Sequence, residues 1–281
     1  MTSPTYDSRW RRRPRPAGAS ATANEIRLNP AQINAFLRDR LDGTGPCEVS
    51  ESLDWTALAR TGVVPGARLL MEEMAGRGAK LTVTGNLSRK SVAGLMDQVP
   101  WDGVDLEMLR SISKVFNEGD FAPAEYLHAL LRTAGLARKA REFLKLSVKG
   151  RGLVSEQDAG RLFALLFRTT FAGYNLAYLD RYPLPDPFQP QISFTLFVIG
   201  RFCMDWKLPS DLLPGATLPF GDLPPEVVRR LAGAFDARVL RYLCWFGLLE
   251  KAPLAPGQKS WDPRAVRKTP LYDRALSFRL D

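Results

Sequence analysis

The sequence predicts a mainly α protein with small β-hairpins, a multi-helical bundle assembled from recurring helix–hairpin units. Three observations predict this. Apolar residues recur at helical spacing through most of the chain. Twenty-one Pro and 22 Gly break 281 residues into short pieces. One stretch, residues 122–154, reads as an amphipathic helix, a Gly-Leu stop, a basic hairpin and a strand ending in Lys-Gly, and parts of that order come back elsewhere.

Residues 1–24 are rich in Arg, Pro, Ser, Ala and Gly. They cannot bury a core and are expected to be a disordered basic tail, with Trp10 set among arginines. Asn29 then caps a helix with Pro30 at its first position and Ile33, Phe36 and Leu37 on its apolar face, ended by Asp42-Gly43. Trp55, Leu58 and Ala59 mark a short helix. A longer one over 66–78 turns Leu69, Leu70 and Met74 inward, and a strand over 80–85 follows. Ser88 caps a helix carrying Val92, Leu95 and Met96, and another over 102–117 carries Leu106, Leu109, Ile112 and Phe116.

In the organising stretch, Pro123 suits a first turn and Leu127, Leu130 and Leu131 share a face with Tyr126 and Ala134. Gly135 is a C′ residue and ends the helix. Phe143, Leu144, Leu146 and Val148 nearly alternate with Lys145, Ser147 and Lys149, which is a strand pattern closed by Gly150. Ser155 and Asp158 resemble a helix cap before the buried run at 162–167. Prolines make 173–190 loop-rich. Residues 194–206 are apolar nearly all round and predict a central helix, and 209–225 reads as a loop and domain boundary. Two helices over 225–247 end in Phe246-Gly247-Leu248, before a Gly/Pro-rich hairpin and a short terminal helix.

Lys80-Leu81-Thr82-Val83-Thr84-Gly85 and Lys145-Leu146-Ser147-Val148-Lys149-Gly150 stand 65 residues apart, each after a helix ending in Gly. They read as an internal repeat. Residues 236–276 repeat the same grammar a third time. The expected organisation is a tail (1–24), a helical region with two units (25–154), a helical connector (155–222) and a third unit (223–281).

The formal charge of +9 gathers in three places. Residues 1–15 carry net +4, residues 137–151 net +5 and residues 257–274 net +3, which is more than the whole excess. Charge confined to a tail and two hairpins favours a polyanionic partner. The alternative for each basic residue is solvation of an exposed hairpin.

Helix, Gly-Leu, basic hairpin and Leu-Thr/Ser-x-x-Gly resembles the recognition helix and wing of MarR-type and PadR-type winged helices. That likeness implies tandem winged-helix-like units. The longer pattern of 81–89, 127–136 and 146–153 resembles the C-terminal region of uncharacterised bacterial proteins related to a plasmid-borne open-reading-frame-three product. It implies a multi-helical bacterial protein, often linked to mobile elements, and assigns no site.

Two function classes follow. In the first, the chain binds duplex DNA, with the helix over 122–135 approaching the major groove through Glu125, His128 and Arg132. Arg138, Lys139, Arg141 and Lys145 would touch backbone phosphate or the minor groove from the wing, flanked by Lys149 and Arg151, and Arg238 and Arg241 would act in the third unit. In the second, the units keep the shape but serve as a protein-interaction scaffold, which Glu72 and Glu73 favour because they would repel phosphate. A protein partner or a homodimer fits either class.

Catalysis is not indicated, so the chain reads as a non-enzyme without cofactors. His128 is the only histidine and has no Cys near it, so metal and triad chemistry lack partners. Glu72, Glu73, Asp102, Asp105 and Glu107 belong to solvated faces. Gly43-Thr44-Gly45 lacks the Lys-Ser/Thr of a phosphate loop, and Asp180-Arg181-Tyr182 is an ion-pair turn. Cys47, Cys203 and Cys244 form no Cys-x-x-Cys pair, which fits a reducing cytoplasm. No apolar run is long enough to span a bilayer.

Overall fold

A computed structural model describes residues 28–180, 182–217 and 223–280. The basic tail with Trp10, and Arg181 of the expected ion-pair turn, lie outside the described residues. The fold is mainly α with small antiparallel hairpins.

The order of elements follows local chemistry. Helix α1 (Pro30–Arg38) is fixed by a reciprocal cap between Asn29 and Gln32. It stops at Asp39, before the expected Asp42-Gly43, because the Asp39 carboxylate accepts from the Leu41 and Cys47 amides and the Ser193 hydroxyl. Strand β1 (Cys47–Val49) and helix α2 (Trp55–Leu58) lead into α3 (Val63–Ala75), β2 (Ala79–Lys80), α4 (Arg89–Gln98) and α5 (Leu106–Ile112). Then come α6 (Ala122–Thr133), β3 (Ala137–Ala140), β4 (Phe143–Leu146), the single turn α7 (Val148–Arg151) and α8 (Ala159–Arg168).

After the proline loop the chain forms α9 (Ile192–Phe202), α10 (Pro209–Ala216) and α11 (Pro225–Phe235). A π-helical turn over 236–240 joins α11 to α12 (Arg241–Trp245). Strands β5 (Leu249–Lys251) and β6 (Val266–Lys268), helix α13 (Pro270–Ala275) and β7 (Leu276–Phe278) complete the chain, with β7 paired to β1.

Several expectations are corrected. Residues 80–85 are not a strand equivalent to 145–150. Lys80 pairs with Phe143, so both segments contribute to one sheet of order β2-β4-β3, and β2 gives way to a turn at Thr82–Gly85. Val148 does not continue β4. Ser147 caps a helical turn there, leaving Val148 80% exposed. Ile112 faces solvent instead of the core. Residues 209–225 include α10 instead of forming only a loop.

The real repetition is longer than the motif that suggested it. In the first unit α3, β2, α4, α6 and the β3–β4 hairpin follow in order, with α5 inserted between α4 and α6 and with β2 beside β4. In the second, α9, residue Lys207, α10, the α11–α12 helix and the β5–β6 hairpin follow in the same order. Lys207 exchanges both backbone hydrogen bonds with Val266 of β6, at 3.0 and 2.9 Å, so it holds the place of β2.

The joints match as well. Gly135 (φ +70°) and Gly247 (φ +74°) end α6 and α12 in the left-handed region that glycine adopts without strain. The Ser147 hydroxyl donates to the Gly135 carbonyl at 2.7 Å, and the Thr269 hydroxyl to the Gly247 carbonyl at 2.6 Å.

The two units meet through the helices before their hairpins. Tyr126 of α6 lies against Tyr242 and Trp245 of α12, with ring centroids 4.8 and 5.4 Å apart. Trp101 closes the group against Trp245 and Phe121. All five rings are buried, and aromatic pairs at these separations add to the free energy of burying them.

Candidate nucleic-acid interface

Helix α6 does not present a groove-reading face. Tyr126, Leu127, Leu130 and Leu131 were expected inside, but Pro123, Ala124 and His128 are buried too. Tyr126 faces α12 and the Thr169–Gly173 turn, where the Thr170 hydroxyl lies 2.6 Å from the Tyr126 hydroxyl. Only the last turn, with Arg132 and Thr133, is exposed.

The expected base-reading residues therefore separate. His128 is 6% exposed, and its Nδ1 lies 2.9 Å from a carboxylate oxygen of buried Glu118. Glu118 also accepts the Leu87 amide. This pair ties α6 to the start of α4, so His128 is a core histidine and reaches no ligand. Glu125 is half-buried, and its charge raises the nearby Tyr178 phenol above its usual range. Arg132 alone keeps the position the expectation gave it.

The third-unit arginines are corrected more sharply. Arg238 is 0% exposed. Its guanidinium pairs with Asp180, lies 3.8 Å from Asp186 and donates to the carbonyls of Tyr182, Leu184 and Pro185. It clamps the proline loop instead of facing a groove. Asp180, expected to pair within its own turn, takes this distant partner. Arg241 is half-buried, stacked over Tyr242 and Trp245 at 5.1 and 5.3 Å.

The first hairpin behaves differently. Ala137, Leu144 and Leu146 are buried, so the alternating residues face outward. Arg138 stands directly opposite Lys145, and Ala140 and Lys80 flank Phe143 on the same outer row. Like charges placed directly opposite destabilise a strand pair. Among the described residues no carboxylate pairs with Arg132, Arg138, Lys139, Arg141 or Lys145. Lys139 belongs to the other row, and its ammonium reaches the turn at Gly85. Arg141 occupies the two-residue tip at φ +56°, a conformation that favours glycine.

Lys149 and Arg151 lie at the foot of the hairpin. Both are exposed, yet the Lys149 ammonium donates to the Ala134 carbonyl at 3.1 Å and Arg151 to the Leu146 carbonyl at 3.3 Å. The Lys149 ammonium is stabilised by the negative end of the α6 dipole. Lys80 is the member of the outer row that the sequence reading missed. The Lys-Leu-Thr segment was its signal, read as a strand of a separate repeat instead of as a partner of β4.

Other chemistry is remote from this face. The acidic pair of α3 is engaged, Glu72 with Arg68 and Glu73 with the Ser91 hydroxyl. Burial pushes the thiols of Cys47, Cys203 and Cys244 up, Cys203 to about 12. Among the described residues no group of three or more His, Cys, Asp or Glu side chains could hold a metal ion. No described helix is long and apolar enough to cross a membrane. In comparisons with known proteins, no curated protein and no solved structure matches the chain. Residues 59–159, which span the whole first unit from α3 through the hairpin, match the family model of the Y4jL N-terminal domain.

Proposed function

We propose that this chain is a non-enzymatic DNA-binding protein of the bacterial cytoplasm that grips duplex backbone with the β3–β4 hairpin. Apart from the inserted α5, the helix–strand–helix–helix–hairpin order, with the first strand beside the last, is the connectivity of a winged helix, and the hairpin is its wing. The observation that carries the reading is Arg138 opposite Lys145 without a neutralising carboxylate. A phosphate backbone supplies the missing negative charge. Arg132 and Arg141 extend this face, and contacts of this kind position a protein on DNA without reading its sequence. The buried thiols and the engagement of His128 by Glu118 agree with binding instead of catalysis.

A protein-interaction scaffold is the second reading, favoured by one observation: α6 and α12 are sequestered against each other, so neither unit offers a major-groove helix. Anisotropy titration of random-sequence duplex DNA at several salt concentrations separates the two. The full chain, a chain lacking residues 1–24 and the Arg138→Glu, Lys145→Glu variant are compared. Binding retained without the tail, falling steeply with salt and lost in the double variant supports the hairpin. Unchanged affinity in a folded double variant refutes it, and loss of binding with the tail leaves the scaffold reading.

A further inference from the structure

The two units differ at one equivalent position. Leu144 of β4 and Val266 of β6 each stand three residues before the hydroxyl residue that closes their unit. Leu144 is opposite Ala79, and Val266 is opposite Lys207. Gly78 therefore corresponds to Trp206, and Lys145 to Arg267. The first unit has no side chain at Gly78, where a Cβ would come within 3.0 Å of Lys145 and the Leu144 carbonyl. The second unit has an indole there with a guanidinium laid on it.

Arg267 lies 4.6 Å from the Trp206 ring centroid and is held in place by two hydrogen bonds to Glu250, at 2.9 and 2.6 Å. Trp206 remains 40% exposed. On the same hairpin Trp261 is 71% exposed, with the Lys259 ammonium 5.2 Å from its centroid. Each indole is thus oriented by a cation and still open to water. Among the described residues no carboxylate pairs with Lys259, whereas Arg264 is held by the Gly103 and Ala252 carbonyls and Lys207 stands on the Val266 row, away from Trp206.

We infer that the second unit stacks unpaired nucleobases on Trp206 and Trp261, while Lys259 meets the adjoining phosphate. An open aromatic face accepts any base, and an unpaired cation beside it suits the strand that carries those bases. The inference rests on the proposed function for its choice of nucleic acid as partner. It adds a second, single-stranded contact, so the preferred ligand becomes a duplex with an unpaired extension.

The test is tryptophan fluorescence of the full chain carrying Trp10→Phe, titrated with oligo-dT and separately with blunt duplex. Oligo-dT should quench the emission, and Trp261→Ala should weaken its binding by about tenfold, as expected for one stacked base. Trp206→Ala should do the same, and duplex affinity should stay unchanged in both. Oligo-dT affinity unchanged in the Trp261→Ala variant, or equal losses for duplex and oligo-dT, overturns the inference. Trp261 is exposed enough that its variant folds. Tryptophan-dependent oligo-dT binding without any duplex binding would refute only the first hairpin's role. Duplex binding with tryptophan-independent oligo-dT binding would refute only the second's.

Discussion

Tyr126 and Tyr242 stack across the middle of the protein with ring centroids 4.8 Å apart, each on the helix that precedes its unit's hairpin. This contact decides what the two units can do. With seven of its residues buried and only Arg132 and Thr133 exposed, α6 has no free face to lay in a major groove, and four of the five residues of α12 are buried. The hairpins remain, and they project from a core that both units build together.

Tyr126→Ala therefore tests the architecture. Removing a large buried aromatic from a packed core costs about 3–5 kcal/mol, and the partner hydroxyl of Thr170 loses its bond as well. Urea unfolding should show a loss of that size in one cooperative transition reported by both units. A loss below about 1 kcal/mol, or a second transition, would mean that the units fold independently.

Arg138 sets stability against binding. Replacing it with Glu places opposite charges across the strand pair, which should stabilise the hairpin by about 0.2–1 kcal/mol. The same change should weaken duplex binding and flatten its salt dependence, because one phosphate contact contributes about one unit of slope. A variant that is less stable, or that binds as well as the parent, contradicts the role assigned to the Arg138–Lys145 pair.

Much of the fold was legible in the sequence because it rests on local signals. Asn29, Ser88 and Pro123 begin helices where capping chemistry says they should, and Gly135 and Gly247 end them. What escaped was long-range. A two-residue strand such as Ala79–Lys80 has no periodicity, so its partner cannot be read, and an extra repeat was set 65 residues apart although the grammar shared by 122–154 and 236–276 was recognised. The basic hairpin was legible because exposed charge needs no tertiary partner. His128 and Arg238 were misplaced for the opposite reason. A polar residue on a helix looks solvent-facing until the buried carboxylates of Glu118 and Asp180, 10 and 58 residues away, are known.

Arg141 at the hairpin tip allows a test in which sterics and function pull apart. A non-glycine residue in the left-handed region is strained by about 1–2 kcal/mol. Arg141→Gly removes that strain and loses about 0.5–1 kcal/mol through greater backbone freedom when unfolded. The variant should be as stable as the parent or slightly more so, while binding duplex DNA less tightly. Destabilisation by more than 1 kcal/mol would show that the arginine side chain holds the turn.

The buried thiols give the protein a pH dependence whose sign is fixed. Burial raises the Cys47, Cys203 and Cys244 thiols, Cys203 to about 12, whereas an unfolded cysteine ionises near about 8.5. Below that value both states hold the proton and stability is independent of these groups. Above it the unfolded chain gives up protons that the folded chain keeps, so each thiol subtracts up to about 1.4 kcal/mol per pH unit until its folded form ionises. Urea unfolding at pH 7, 8, 9 and 10 should show stability flat at first and falling beyond about pH 8.5. A variant with all three cysteines changed to alanine should lose most of that slope below pH 10, where tyrosines are still protonated. Native protein should also resist a thiol reagent at pH 8, because only the thiolate reacts. Rapid labelling before unfolding, or an unchanged slope in the triple variant, would show that the thiols are accessible and leave the pH effect to other groups.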